Sequence, residues 1–131
     1  MHKRFVTTGA ILGAIAVALG AFGSHGLKKI VDAETVQTFQ TGVQYQMYHS
    51  LALLATGLLY EKCSQKLIRI AGVLFIIGII LFSGSLYVLT AGRAGEMNSL
   101  DKFGIITPFG GISFVAGWVF LFLAAMKTSK D

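Results

Sequence analysis

A chain of 131 residues that is 54% hydrophobic and only 13% charged is too poor in charge for an ordinary soluble domain, where roughly 25% is usual. Its formal net charge of +5 comes from basic residues in short clusters between apolar runs; that pattern excludes a nucleic-acid stripe and fits the signals that orient membrane proteins. A lone cysteine, Cys63, excludes an intrachain disulfide and any multi-cysteine metal site.

Four segments approach the length of about 20 residues that a helix needs to cross the hydrocarbon core. The first covers about residues 5–23, behind the basic start His2-Lys3-Arg4. Its apolar run is longer than a secretory signal core, so it is read as a retained span. Gly9, Gly13, Ala16, Gly20 and Gly23 share one of its faces, a seam of small residues suited to close helix approach.

The stretch from Ser24 to Thr35 is polar and glycine-containing and reads as a loop. Asp32 is placed to cap a helix that starts near Ala33, with Glu34 in its first turn. An amphipathic start over about residues 33–42 leads into a second span over about residues 43–60. The whole is too long for the core, so its first turns should lie outside it or be set off by a bend at Gly42.

At about 100° per residue, Gln37, Thr38, Thr41, Gln44, Tyr45, Tyr48, His49 and Thr56 fall within an arc of roughly 140°. Amide, hydroxyl and imidazole groups are costly against acyl chains. The arc is therefore expected to face the other helices.

A third span, about residues 67–91, is the most apolar and turns small and polar at Ser83, Tyr87 and Thr90, which share a face. A polar loop from Gly92 to Lys102 precedes Thr107-Pro108, which reads as an N-cap followed by proline at the first helical position. The alternative is a helix from Asp101 kinked at Pro108. The fourth span covers about residues 108–126, with Gly110, Ser113, Gly117 and Ala124 as a second small-residue seam. Trp118 falls mid-span, as a packing residue whose indole N–H needs a buried acceptor.

Four spans put both ends of the chain on one side. That side carries Lys3, Arg4, Lys62, Lys66, Arg69, Lys127 and Lys130, against Lys28, Lys29, Arg93 and Lys102 on the other. The excess favours cytoplasmic termini.

Chemistry has few candidates. His25 and His49 both fall toward the outer side, and two histidines on neighbouring helices can ligate haem; yet His25 sits in a loop, and the pair carries no ligand-spacing motif for haem or metal. His49 is the one strong titratable group within a span and the natural centre of a proton path. No acidic or basic residue lies deep in any span to accompany it. The preferred reading holds His49 in a satisfied hydrogen-bond network with Tyr45 or Gln46 and serines of the third helix. Ser24 beside His25 does not make a nucleophile and its base, since no third group orients them.

Gly20-Ala-Phe-Gly-Ser-His-Gly-Leu27, Tyr45-Gln-Met-Tyr-His49, Leu81-Phe-Ser-Gly-Ser-Leu-Tyr87 and Ile106-Thr-Pro-Phe-Gly-Gly111 with Gly117-Trp118 occur in order. Together they resemble the small bacterial membrane proteins of the domain-of-unknown-function family numbered 423, which has a eukaryotic transmembrane relative. The resemblance spans nearly the whole chain. It implies a four-span plasma-membrane protein and supplies no catalytic or ligand-binding residues.

The expectation is an all-α integral-membrane four-helix bundle, one domain, in a bacterial plasma membrane with cytoplasmic termini. The expected role is non-enzymatic, without cofactor or metal. A cluster of His25, Gln44, Tyr45, Tyr48, His49, Ser83, Tyr87 and Thr107 would bind a small polar ligand, a lipid headgroup or a partner helix. The small-residue faces would also suit a homo-oligomer. The rival is a channel or transporter for protons or a small polar solute, with His49 titrating.

Overall fold

The computed structural model describes residues 1–130 and is helical throughout. Helix α1 (Lys3–Ser24) is followed by a short 3-10 turn at Leu27–Lys29. Helix α2 (Ala33–Leu59) starts where Asp32 accepts the Thr35 backbone N–H at 2.8 Å, as its cap position requires. It then runs unbroken through Gly42. This glycine serves close packing. A Cβ at Gly42 would lie 3.0 Å from the Tyr87 ring and 3.3 Å from the Leu86 Cβ.

The third rod is one continuous helical column in three parts: α3 (Gln65–Gly78), a π turn (Ile79–Ser83) and α4 (Gly84–Ala94). The extra residue of a π turn rotates whatever follows it. Here it brings Ser83 against α2, where its hydroxyl donates to the Gly42 carbonyl at 2.6 Å. A 3-10 stretch over Asn98–Ile105 then leads directly into α5 (Thr107–Ala125). Thr107 is consequently the first helical residue and not the expected N-cap. Its hydroxyl lies 2.6 Å from that of Ser85 on α4, and Pro108 sits in the first turn without kinking the helix.

Three of these rods are long and apolar enough to cross a membrane: Lys3–Lys29, Gln65–Ala94 and Asn98–Ala125. Helix α2 has 27 residues, but Gln37, Gln40, Gln44, Gln46 and His49 dilute its apolar character. Ile11, Ile15, Val17, Ile77, Ile80, Ile112, Val115 and Phe122 are exposed and coat the outside, as befits a chain whose solvent is hydrocarbon.

Close approach between rods relies on missing side chains, because lipid tails provide no hydrophobic drive for helices to associate. Gly9 lies where a Cβ would stand 2.9 Å from the Ser50 carbonyl oxygen of α2. Gly110 is pressed against the backbone of Phe82, and Gly117 lies where a Cβ would meet the Phe75 ring at 2.7 Å. Phe75, Ile79, Phe114, Ala52 and Ala71 form the centre of the core.

The rods pack in sequence: α1 along α2, α2 along α3 and α4, and α5 along α3. Helices α1 and α5 take opposite flanks, and neither covers the outer side of α2. At one end, the Met1 ammonium meets Glu61, and Cys63 forms an isolated bridge with Thr128.

Candidate functional site

The local sequence of α2 puts Gln46 and His49 three residues apart, with Ser50 a turn beyond Gln46. All three are buried. Gln46 spans the bundle. Its Nε2 donates to the Leu12 carbonyl of α1 at 2.8 Å, and its Oε1 accepts the Tyr87 hydroxyl of α4 at 2.6 Å. A single amide thus ties three rods together. The Ser50 hydroxyl turns back onto the Gln46 carbonyl at 2.6 Å, a local bond common for serine in membrane helices.

His49 faces the other flank. Its ring lies flat on Phe114 of α5, with centroids 3.5 Å apart and planes 11° apart. Nδ1 lies 2.7 Å from the Tyr45 carbonyl, and Nε2 lies 3.1 Å from the indole Nε1 of Trp118. A carbonyl only accepts and an indole N–H only donates. The two partners together therefore select the neutral imidazole that carries its proton on Nδ1 and accepts on Nε2.

Other interior polar side chains are tied either between rods or within their own helix. Ser113 of α5 donates to the Leu74 carbonyl at 2.7 Å, and Thr90 to the Leu86 carbonyl at 2.9 Å. Gln40 donates to the Gly20 carbonyl and to the Ser24 hydroxyl. Among the described residues no buried side-chain nitrogen or oxygen lacks a partner.

The eight residues expected to converge do not form one cluster. Ser83 and Tyr87 bond to α2 on its α4 side, and Thr107 bonds to Ser85. His25 is exposed at the end of α1, its Nδ1 3.0 Å from the Ala21 carbonyl. The part of α1 opposite this stretch of α2 is Leu12–Gly13, so His25 stands about 12 residues and about 18 Å of helix away. The histidine pair imagined for haem does not meet. Among the described residues no group of three histidine, cysteine or carboxylate side chains is close enough to hold a metal.

The expected orientation of the α2 arc also needs correcting. His49 is buried, but Gln37, Gln44, Tyr45 and Tyr48 are exposed, Tyr48 at 54%. An arc that wide exceeds what the α3–α4 rod and α5 cover, and α1 takes the opposite flank. Its edge is left facing outward. His49 finds its partners in a backbone carbonyl and a tryptophan, not in the serines of the third rod. Trp118 lies half exposed on the surface of α5, its ring packed edge-on against the buried Phe75 at 5.2 Å and its N–H reaching in to His49.

Gln46 was missed as a site residue because it lies off the polar arc. Its signal was available: an amide with Leu and Ala residues a turn or two further along needs partners on both its donor and acceptor ends.

Comparison with known proteins gives a consistent result. A family described as "Protein of unknown function (DUF423)" matches residues 19–111. The chain is 42% identical over 126 residues to the UPF0382 membrane protein YwdK of Bacillus subtilis, covering 95% of this chain and 98% of that one. It is 39% identical over 130 residues to a UPF0382 membrane protein of Haemophilus influenzae, covering 99% of each. It is 37% identical over 131 residues to the UPF0382 inner membrane protein YgdD of Escherichia coli, covering 99% of this chain and 95% of that one. No solved structure matches.

Proposed function

Because the chain belongs to the DUF423 family of multi-span membrane proteins, whose description names no activity, we propose its role from its own geometry. It is a non-enzymatic four-span protein of the bacterial inner membrane, with both termini cytoplasmic. It recognises another membrane-embedded helix through the outward polar edge of α2, namely Gln44, Tyr45 and Tyr48. The observation that carries this reading is a contrast. Among the described residues every buried side-chain nitrogen and oxygen is partnered, while Gln44 and Tyr48 stand exposed on a helix flanked by apolar surfaces. In a bilayer an unpartnered amide is expensive, and a helix offering its own polar groups relieves that cost. The four-span topology rests on the length of α2, and the cytoplasmic termini rest on seven basic residues at one end against four at the other.

The transport reading is not favoured. Both ring nitrogens of His49 are engaged, and its ring is stacked on Phe114. A photo-crosslinking side chain placed at position 48 in intact membranes should capture a protein, whereas one at Val115, on the exposed face of α5, should capture lipid. Lipid alone at both positions would refute the proposal.

A further inference from the structure

Helix α1 begins beside the end of α2 and the first turn of α3, where the His2 backbone N–H donates to the Gly57 carbonyl at 2.8 Å. A depression of about 500 Å³ opens there, lined by Met1, His2, Lys3, Arg4, Tyr60 and Arg69. Its charges are one-sided. The carboxylate close by, Glu61, is taken up by the Met1 ammonium. Lys3, Arg4 and Arg69 are exposed, and among the described residues they form no ion pair.

Arg69 is nevertheless held in place. Its Nη2 donates to the Tyr60 hydroxyl at 2.5 Å, and its guanidinium lies 5.8 Å from the centre of that ring. Tyr60 accepts this bond and keeps its own O–H to donate. His2 packs edge-on against the same ring at 4.9 Å, fixing the floor. A planar donor fork, two further cations and a hydroxyl donor converge on one concavity. That set matches a phosphodiester.

A second feature continues from the first. A groove of about 260 Å³, lined by Arg69, Ile70, Val73 and Leu74, runs along the next turns of α3. Apart from the shared arginine its walls are aliphatic, and Val73 is 44% exposed. A headgroup-sized basic hollow joined through one arginine to an aliphatic channel along a membrane helix has the shape of a phospholipid, charged at one end and apolar below.

We propose that this end of the bundle binds an anionic glycerophospholipid, its phosphate held by Lys3, Arg4 and Arg69 and an acyl chain laid against Ile70, Val73 and Leu74. The site is separate from the α2 edge and does not depend on it.

Native mass spectrometry of the full-length detergent-solubilised protein tests this, with phosphatidylglycerol and phosphatidylcholine of identical chains added in turn. Phosphatidylglycerol should be retained preferentially. Glycerol phosphate in large excess should not displace it, because it lacks the chain; displacement would mean that only the phosphate is recognised and would overturn the lipid assignment. Each basic residue is worth about fivefold in binding to anionic lipid, so Arg4→Gln with Arg69→Gln should weaken retention about 25-fold and erase the preference. Lys28→Gln with Lys29→Gln, at the far end, should change nothing. Val73→Trp, which fills the groove and leaves the charges alone, should lower retention of phosphatidylglycerol. Equal retention of the two lipids, equal loss from the far-end pair, or full retention by Val73→Trp would each overturn the proposal.

Discussion

The indole N–H of Trp118 donates to Nε2 of His49 across 3.1 Å, joining α5 to α2 over 69 residues of sequence. The donor stands half exposed on the outer surface while the acceptor is buried. The bond therefore works as a latch across the α2–α5 edge, closing over an imidazole that Phe114 already holds flat.

Trp118→Phe keeps a ring at this position and removes the donor, leaving the His49 nitrogen without a partner. The expected loss of stability is about 1–3 kcal/mol, read from thermal or denaturant unfolding in detergent. His49→Phe alone should cost a comparable amount. The double variant should cost less than the sum, with a coupling of about 0.6 and up to about 1.7 kcal/mol. Strict additivity would show that the latch carries no energy. Trp118 is the sole tryptophan, so a change in intrinsic emission in His49→Phe reports the same contact directly.

Gln46 binds Leu12 and Tyr87 at once. Gln46→Leu strands the Tyr87 hydroxyl and should destabilise by about 1–3 kcal/mol. Tyr87→Phe strands only the amide oxygen and should cost somewhat less. Combining the two removes both ends of the bond, so a melting temperature for the pair no lower than that of Gln46→Leu is the expected outcome.

Adjacent glycines on α5 should behave differently. A Cβ at Gly110 would collide with the Phe82 backbone, whereas one at Gly111 meets nothing nearer than a Phe82 ring carbon at 4.0 Å. Backbone cannot move aside as a flexible side chain can. Gly110→Ala should lose about 1–3 kcal/mol, as overpacking does. Gly111→Ala should be neutral or slightly stabilising, since alanine favours helix. Similar unfolding curves for the two would place the close contact between α5 and the π turn elsewhere.

Asp32 titrates below the ordinary carboxylate value of 3.8, chiefly because the Thr35 side chain and backbone N–H bond to it, with Arg93 adding attraction. A carboxylate whose value is lowered by folding stabilises the fold above its unfolded value. That contribution is lost as pH falls through the folded value. The cap at the start of α2 should therefore loosen only in acid, below about pH 4. Hydrogen-exchange protection of the amides over residues 33–36, corrected for intrinsic rates, should fall there in the native chain. It should be flat with pH and present in Asp32→Asn, and weak at every pH in Asp32→Ala.

Local chemistry was legible in the sequence wherever a residue's partners lie within a turn or two. The Asp32 cap is such a case, because its acceptor and the Thr35 N–H are three residues apart. The seams at Gly9, Gly110 and Gly117 were legible for a related reason: absence of a side chain on one face already says that something comes close. The need of Trp118 for an acceptor was legible too, since an indole N–H has no other use in an apolar span. Its identity as His49 was not. The π turn at Ile79–Ser83 gave no sign in the pattern, and it is what turns Ser83 onto the Gly42 carbonyl.

By itself, the sequence determined that this chain is helical, embedded in a membrane and built from rods with small-residue faces, because span length and apolar content depend on one segment at a time. Only the tertiary structure decided which way each rod is rotated. A helical wheel fixes the angles between Gln44, Gln46 and His49 but not their common direction. That direction is set by where α1 and α4 come nearest to α2, at Gly9 and Gly42. Once those contacts are made, Gln46 and His49 have to turn inward and find partners, and Gln44 and Tyr48 are left facing out.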